Sequence, residues 1–440
     1  MHGYHRRALA RAWTVRHGPG RAGSPPAIIL GGAANAVSVA RSLGRAGVAV
    51  HALGAPGCPV RWSRHCRSFT TIAGEQAQQE ALEWLARGPR AGVVLPCDDD
   101  GLELIARHRS DIAGLGYLPI EADDEVLLAM LDKQRTYTLA SELGIATPFT
   151  FVPRSLDELE SRIDELSFPC ALKPVHSHVF ARHFPRTKAL RANDADDLRR
   201  KYTDVHALGI ELLVTETIPG PEDAFCSYYS YLDERGESLL EFSQHKLRQF
   251  PIGFGSACYA TNEPNPEAAE LGLRFFRGVG LRGIGNVEFK RDARDGALKL
   301  IECNPRFTAA ERQLQLCGLD LPLFVYNRVL GRPLPPMETR RSGVRLWHPL
   351  QDTRAFLALR RDGQLTATAW ARSLAHRQHF PVASAADPLP TLGYHAHTAI
   401  SALRTRRGPG PVNGPTPTVT NAIHRTTLRV AGTDNGGAST

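Results

Sequence analysis

The segment from residue 27 to residue 54 constrains the fold of this chain more than any other. It contains AIILGG, NAVSVARSLGRAG and VAVHALG, the pattern of a strand, a glycine turn, a helix and a second strand. Such a unit connects with a right-handed crossover, because only that hand packs the helix back onto a twisted sheet. A further apolar run, AGVVLPC at 91–97, ends in DDDG and leads into the helical pattern LELIARH. The sequence therefore predicts an open parallel α/β layer over residues 27–120.

The glycine turn of this layer is a degenerate form of the dinucleotide-binding fingerprint. The second strand ends at His51 to Gly54, where that fingerprint needs an acidic ligand for the ribose. An NAD-dependent dehydrogenase is therefore disfavoured. We interpret the turn as a tight strand-to-helix connection that lines a small-molecule cleft.

Downstream of this layer the pattern becomes helix-rich and then mixed. DDEVLLAMLDKQRTYTLASELG has apolar residues at helical spacing and predicts one helix that closes at Gly144. Ser155 is a plausible N-cap for a helix over SLDELESRIDEL, and FPCALKPV is typical of a short buried strand. Further strands, a helix around 266–280, a hairpin and an amphipathic helix over LDLPLFVYNRVLG complete an α+β unit.

These changes of pattern predict an organisation in six segments. They are a disordered basic tail over 1–26, an α/β domain over 27–120, two α+β subdomains over 121–205 and 206–343, an extension over 344–390, and a disordered tail over 391–440, which is rich in Thr, Pro, Gly, Asn and Ala.

The net charge of +8 does not indicate a nucleic-acid partner. Most of the excess arginine lies in the two terminal segments, and the remainder of the chain is close to neutral. No apolar run approaches the roughly 18 to 20 residues that span a bilayer, and the N-terminus lacks the apolar core of a secretory signal. Eight cysteines without a CxxC pair fit neither a zinc site nor a disulfide framework. We therefore expect a cytoplasmic protein with neither nucleic-acid nor membrane partners.

Two neighbouring segments, GNVEFK at 285–290 and LKLIECNPRF at 298–307, raise an electrostatic question. The turn residues between them predict a hairpin. Strand alternation then places Lys290 opposite Leu300 and Glu288 opposite Glu302, with Glu302 on the same face as its apolar neighbours. Like charges directly opposite each other destabilise a sheet, and the long stem of Lys290 would let its charge reach water.

A cation that is not a side chain would explain the facing carboxylates. Magnesium takes oxygen ligands, commonly one or two carboxylates, and completes its shell with water and phosphates. Glu288, Glu302 and Asn304 supply three oxygen donors, with Arg306 just beyond them. An exposed sheet face with two solvated carboxylates explains the spacing almost as well.

Two lysines favour the phosphate interpretation. Lys173 stands in CALKPV at the end of a buried strand that contains no acid, and a buried lysine needs an anionic partner. An ATP phosphate would serve. Lys133 lies in the helical segment MLDKQRTYTLA, where a solvated helix face is the alternative.

The chain resembles the ATP-grasp ligases over roughly residues 27–390. The motifs occur in the family's order: the glycine-turn α/β domain, DKQRTY, ALKP, TETIPGPED, QHKLRQFPIGFGS, GNVEFK and IECNPRF. The closest resemblance is to the ATP-dependent carboligase branch, near D-aspartate ligases and other carboxylate–amine ligases, and it includes DPLP at 387–390. It implies an ATP-grasp fold preceded by a Rossmann-like α/β domain.

The resemblance also implies roles for individual residues. The nucleotide would be bound by Lys133 and Lys173 at its phosphates, by Glu216 at the adenine amino group, by the backbone of Thr217 and Ile218 at the adenine edge, and by Asp223, or alternatively Glu222, at the ribose. Glu288, Glu302 and Asn304 would ligate one or two Mg²⁺ ions, with Mn²⁺ as a substitute. Arg306 would stabilise the transferring phosphoryl group, and Lys246 and Arg248 are candidates for holding the phosphate or the carboxylate being activated.

The implied activity is formation of an amide or peptide bond from a carboxylate and an amine, with release of ADP and phosphate. Transfer of a phosphoryl group turns the carboxylate into an acyl phosphate, which demands positioning and charge neutralisation. The alternatives are an enzyme of the same fold that uses bicarbonate or carbamate, one with a thiol acceptor, and a non-catalytic nucleotide-binding protein. A homodimer is compatible with the resemblance.

One departure concerns the segment after Lys173, which is often glycine-rich in this family. Here it reads VHSHVFARHFPRTKAL, without glycine. Cationic side chains could replace the backbone donors that usually cover the phosphates; they are His176, His178, Arg182, Arg186 and Lys188. A basic surface loop is the alternative. Because water would destroy an acyl phosphate, we expect a closing lid, with 174–190 as the candidate.

Overall fold

The computed structural model describes residues 24–406, apart from 90, 176–179, 181–182 and 185–188, and the side chains of 401–406 are also left out of the description. The five cationic residues of the predicted lid therefore lie outside the described residues. Most of the two terminal segments lies outside them as well. Within the described part the strands form three sheets.

The first sheet is parallel and has the strand order β3-β2-β1-β4-β5. Its strands are β1 (Ala27–Leu30), β2 (Val50–Gly54), β3 (Ser68–Thr71), β4 (Val93–Pro96) and β5 (Leu118–Pro119). Every residue of β1 and β4 is buried, as expected for central parallel strands covered on both faces. Helices α1 (Ala34–Arg45), α2 (Ala77–Arg87) and α3 (Asp99–Gly114) connect the strands. The predicted α/β layer is thus present.

The second sheet is antiparallel, with the order β6-β9-β7-β8. It contains β6 (Thr150–Phe151), β7 (Cys170–Pro174), β8 (Leu190–Ala192) and β9 (Leu212–Glu216). Helices α6 (Leu156–Ser161) and α7 (Ala195–His206) accompany it. Ser155 caps α6 as predicted, because its side chain accepts from the N–H of Glu158 at 3.2 Å.

The third sheet has the order β14-β13-β10-β11-β12-β15-β16 and is antiparallel except at β15–β16. Its strands are β10 (Phe225–Leu232), β11 (Ser238–Phe250), β12 (Ser256–Thr261), β13 (Gly283–Arg291), β14 (Leu298–Cys303), β15 (Arg345–Trp347) and β16 (Gln378–His379). Helix α8 (Pro266–Gly278) packs on it, and α9 (Glu311–Cys317) and α10 (Leu321–Val329) follow β14. The C-terminal extension adds α11 (Pro349–Arg361), α12 (Ala367–Ser373) and α13 (Leu389–Arg406).

Two predicted elements differ from the structure. The single helix expected up to Gly144 is two helices, α4 (Asp124–Leu131) and α5 (Lys133–Glu142). The break occurs because Asp132 adopts an extended conformation and caps α5 through its side chain. The disordered segment predicted from 391 is wrong over its first part, since α13 runs to Arg406 and contacts the 3₁₀ turn at Pro59–Trp62. None of the described helices is long and apolar enough to cross a bilayer.

Candidate active site

The β13–β14 hairpin brings the two predicted carboxylates together. Glu288 and Glu302 are direct partners in the antiparallel register, as the sequence predicted. The register shifts just beyond them, so that Phe289 faces Leu300 and Lys290 faces Lys299. The expected pairing of Lys290 with Leu300 is therefore wrong, because a bulge at Ile301 adds one residue to β14.

The same bulge corrects the predicted faces of β14. Leu300 and Cys303 both belong to an apolar cluster with Val287 and Phe289, whereas the side chain of Glu302 is exposed. Glu302 does not share a face with its apolar neighbours. Because of the bulge, the strand buries both Leu300 and Cys303, while Glu302 between them points outward.

Asn304 and Arg306 extend the polar face beyond the end of β14. The Asn304 amide donates to Glu302 Oε1 at 3.1 Å, and Arg306 Nη2 donates to Asn304 Oδ1 at 2.8 Å. Arg306 Nε also donates to Asp99 Oδ1, at the start of α3, at 2.6 Å. Burial lowers the pKa of Arg306, but the adjacent Asp99 outweighs it and the net shift is upward. The guanidinium is a fixed positive charge beside the carboxylate pair.

Lys246 contacts one of the two carboxylates. Its ammonium is 2.7 Å from Glu288 Oε2 and 4.6 Å from the centroid of the Phe225 ring. On the same ring, the Lys290 ammonium lies 4.9 Å from the centroid and donates to the carbonyl oxygen of Ile218 at 2.8 Å. The expectation that Lys290 reaches water is wrong. Lys290 is buried, and burial lowers its pKa. These contacts connect the 216–218 segment, which we call the hinge, to the carboxylates.

The donor set at this site fits a hard divalent cation. Within the described residues no group of three or more His, Cys, Asp and Glu side chains is placed to hold a metal ion. Two carboxylates and an amide oxygen are instead typical of magnesium sites whose remaining ligands are water and phosphate oxygens. Glu302 is exposed and Glu288 is partly exposed, so both can accept a cation from solution.

The carboxylate of Glu216 lies in a network of charges at the hinge. Its oxygens accept from the Phe149 N–H at 3.0 Å, from Arg294 at 2.7 Å and from Lys299 at 3.1 Å. Although burial raises the pKa of Glu216, these hydrogen bonds lower it below its ordinary value. Arg294 and Lys299 also contact the fully buried Asp292. Contact of Glu216 with an adenine stays a prediction, and these contacts favour a role in fixing the hinge.

Of the other predicted nucleotide contacts, Thr217 and Ile218 lie in the hinge, Asp223 follows it, and Lys173 lies on the neighbouring strand β7. Thr217 Oγ1 is buried and has no hydrogen-bond partner among the described residues, which fits a site for a ligand edge. Asp223 is exposed beside Glu222, and its carbonyl oxygen contacts the His245 ring nitrogen Nε2 at 2.7 Å. Lys173 is half-buried on β7, with its ammonium 6.0 Å from the centroid of the Phe254 ring.

Lys133 is the first residue of α5 and lines a cavity of about 290 Å³ together with Tyr137, Glu302 and Asn304. The structure therefore brings Lys133 to the same cavity as Glu302. It also shows Glu302 and Asn304 lining a second cavity, described below, so the two residues lie between the two spaces.

Arg248 does not belong to this constellation. Its guanidinium donates to both carboxylate oxygens of the fully buried Asp352, at 2.6 and 3.1 Å, and to Ser373 Oγ at 3.0 Å. Trp347 and Trp370 donate their indole N–H groups to the same carboxylate. Arg248 attaches the C-terminal extension to β11, and the sequence could not reveal this because Asp352 is a hundred residues away along the chain.

A cavity of about 550 Å³ joins the carboxylate pair to the edge of the parallel sheet. Its lining includes Asp98, Lys246, Glu288, Glu302, Arg306 and His348. Burial lowers the pKa of His348 to about 4, so the imidazole is neutral at physiological pH. Sequence reasoning missed His348 and Asp98; for Asp98 the signal was an acidic DDD run directly after a buried strand.

The chain is similar to known ligases in sequence and to known structures in fold. A D-aspartate ligase of Enterococcus faecium is 24% identical over 251 residues, which are 55% of this chain and 59% of that protein. The chain thus spans less than two thirds of this relative's length. No family model matches the chain.

Solved structures resemble the chain more completely. An L-amino acid ligase from Bacillus licheniformis superposes with a TM-score of 0.54 at 14% identity, covering 73% of this chain and 77% of that one. The biotin carboxylase domain of the 2-oxoglutarate carboxylase from Hydrogenobacter thermophilus, a dimer solved with MgADP and bicarbonate, gives 0.55 at 17%, covering 72% of each. These likenesses show a shared fold.

Proposed function

We propose that this chain, which has the ATP-grasp fold that its motifs predicted, is an ATP-dependent carboxylate–amine ligase. It activates a carboxylate as an acyl phosphate and couples it to an amine, releasing ADP and phosphate. The observation that carries the proposal is the direct register of Glu288 with Glu302, next to Asn304 and Arg306, at the mouth of a cavity large enough for small substrates.

The residues divide the work between binding and charge neutralisation. Glu288, Glu302 and Asn304 would hold Mg²⁺, which would supply positive charge to offset that of the phosphates. ATP is held by Lys133 and Lys173, by the hinge residues Glu216, Thr217 and Ile218, and by Asp223. Arg306 would stabilise the transferring phosphoryl group, and Lys246 would hold the anion being activated. Arg248 has no part in this proposal.

The similarity to a D-aspartate ligase and the proximity of Glu288, Glu302, Asn304 and Arg306 support a ligase. The bicarbonate in the biotin carboxylase domain supports a second candidate, a carboxylase that activates bicarbonate within the same fold. A non-catalytic nucleotide-binding protein is less well supported, because a binder has no need of Glu288, Glu302, Asn304 and Arg306 together.

A screen of ADP release with Mg²⁺ and ATP separates these candidates. D-aspartate, D-alanine, L-amino acids, dipeptides and bicarbonate are offered as carboxylates, singly and with an amine partner, and products are identified by mass. The ligase predicts ADP release that depends on both partners and a product mass equal to their sum less water. Release with bicarbonate alone would favour the carboxylase, and binding of ATP without release in any mixture would favour the binder.

We also propose a cytoplasmic location and a homodimer. All eight cysteine thiols are free and seven of them are buried, which supports a reducing compartment. The dimer named for the biotin carboxylase domain supports the second suggestion. Light scattering after size exclusion tests it, and a mass near the 48.1 kDa of one chain would contradict it.

A further inference from the structure

The edge of the parallel sheet forms one wall of the 550 Å³ cavity. Gly32 follows β1 and Asp98 follows β4, and these two strands are neighbours in the order β3-β2-β1-β4-β5. The chain leaves β1 toward β2 on one side and β4 toward β5 on the other, so the strand order reverses between them. Ligands of open α/β sheets bind at this switch point, outside the carboxyl ends of the strands.

The fold holds the Asp98 carboxylate at this point with two backbone donors. Oδ2 accepts from the Gly32 N–H at 3.0 Å and Oδ1 accepts from the Gly101 N–H at 2.9 Å. Only the second bond is needed to cap α3. Gly31 has φ +67°, and a Cβ there would lie 1.7 Å from Asp98 Oδ2, so the glycine is required for the carboxylate to occupy this place.

The opposite wall of the cavity carries the carboxylate pair and Arg306. The two walls are fixed to each other, because the Asn35 amide donates to the Phe307 carbonyl at 2.9 Å and Arg306 pairs with Asp99. If phosphates and Mg²⁺ occupy the Glu302 wall, the nucleophile has to approach the activated carboxylate from a wall that they leave open. Asp98 and Asp99 are the carboxylates at that wall, and Asp99 is already paired with Arg306.

We infer that Asp98 binds the amino group of the acceptor substrate and receives its proton. The inference rests on the proposed ligase function and adds to it the residue that recognises the acceptor nitrogen. That nitrogen forms a bond to the acyl carbon, the bond from this carbon to the phosphate oxygen breaks, and phosphate leaves with the electron pair. The acceptor ammonium has two protons to lose: the first passes to Asp98 and then to solvent before the nitrogen attacks, and the second leaves with the phosphate.

The electrostatic surroundings of Asp98 suit both roles. Burial and the nearby Asp100 raise its pKa, the bonds from Gly101 and Gly32 and the charge of Arg306 lower it, and the result is about 6. Asp99 lies next to it in the same cavity wall, and the thiols of Cys58 and Cys97 also interact with it, with burial raising the pKa of each thiol. Asp98 is thus ionised at neutral pH, when it can hold a cation, yet is basic enough to accept a proton.

The test compares two acceptors for one activated carboxylate. Wild type and Asp98→Asn are given ATP, Mg²⁺ and D-aspartate, with hydroxylamine as an acceptor that is largely uncharged at neutral pH or D-alanine as an acceptor that carries an ammonium. For D-alanine we expect the variant to lose at least about 10-fold in kcat/KM, the effect of one charged hydrogen bond. Hydroxamate formation with hydroxylamine should stay within about 2-fold of wild type, because trapping does not need an ammonium site.

Asp111→Asn is the matched control, since Asp111 is exposed on the same helix α3 and does not line the cavity. If Asp98→Asn does not fold, the wild type still decides: KM for D-alanine should rise as the pH falls through about 6, while KM for D-aspartate does not. Equal losses of kcat/KM with both acceptors, or a KM for D-alanine that does not change over this pH range, would overturn the inference and leave the ligase proposal standing. No ADP release by the wild type with any carboxylate would overturn the ligase proposal, and the inference with it.

Discussion

The two ends of the β13–β14 hairpin each bring a pair of carboxylates together, and they neutralise them differently. At the turn, Asp292 and the neighbouring Glu216 share Arg294 and Lys299, so two negative charges meet two positive ones. Both acids are buried there. At the open end, Glu288 contacts Lys246, and Glu302 accepts from the neutral amide of Asn304 while its side chain stays exposed.

The difference separates a structural charge cluster from a binding site. At the turn the two acids are buried and are balanced by Arg294 and Lys299, so they need no added cation and hold the hinge to the sheet. The pair at the open end lines the 550 Å³ cavity, Glu302 also lines the smaller one, and the two carboxylates are oxygen ligands in direct register. Repulsion between such carboxylates is relieved by a divalent cation.

The largest expected effect is that of Glu302→Gln, which removes one charge from the open end and leaves the turn unchanged. Mg²⁺-dependent ADP release should fall at least about 100-fold, as for loss of a major electrostatic contribution to phosphoryl transfer. Glu241→Gln is the control, because Glu241 is exposed on β11 of the same sheet. Turnover retained in Glu302→Gln, with a fold unchanged by circular dichroism, would sink the metal assignment.

Lys299→Met makes the complementary change at the turn. Glu216 and Asp292 would each lose one donor in a largely buried place, and we expect a loss of about 1 to 3 kcal/mol in the free energy of unfolding. Urea unfolding measures it. The Mg²⁺ concentration that gives half-maximal ADP release should be unchanged, and a shift in that concentration would show that the two ends of the hairpin are not independent.

A smaller effect concerns acid stability. Hydrogen bonds from Arg294 lower the pKa of Asp292, and the pKa of Glu216 is likewise below its ordinary value of 4.5. Depressed carboxyl pKa values add stability above the ordinary values, and this stability is lost as the pH falls through the folded-state values. The stability difference between wild type and Glu216→Gln should therefore be full at pH 7 and shrink below about pH 4.5. A difference that is the same at both pH values would contradict the cluster's role.

The local sequence was enough to predict the features that depend on short-range periodicity. It predicted the ATP-grasp fold with its α/β layer, which the structural neighbours confirm, and the opposition of Glu288 and Glu302 across one hairpin. The predicted alternation of faces along β14 is wrong at Ile301, next to Glu302. A bulge depends on packing on both faces of the strand and not on the order of residues alone.

Contacts between distant segments were beyond the sequence. Arg248 stands beside Lys246 in HKLRQF, and only the position of Asp352 decides that one arginine holds the C-terminal extension while its neighbour reaches Glu288. Lys290 was expected in water because its partner is a backbone carbonyl of the hinge, which carries no sequence signal. The α13 helix was missed because its polar and small residues gain stability from packing against the 59–62 turn.

Hydrogen exchange along the β13–β14 hairpin, with and without Mg²⁺ and ATP, tests the central claim most directly. Ligand binding stabilises the region that holds it, so amides near Glu288 and Glu302 should exchange more slowly when both are present. Those at the turn, 292–297, should change less, because their charges are already balanced. Exchange unaltered by Mg²⁺-ATP over 286–306 would contradict the claim that the facing carboxylates form a cation site for nucleotide phosphates.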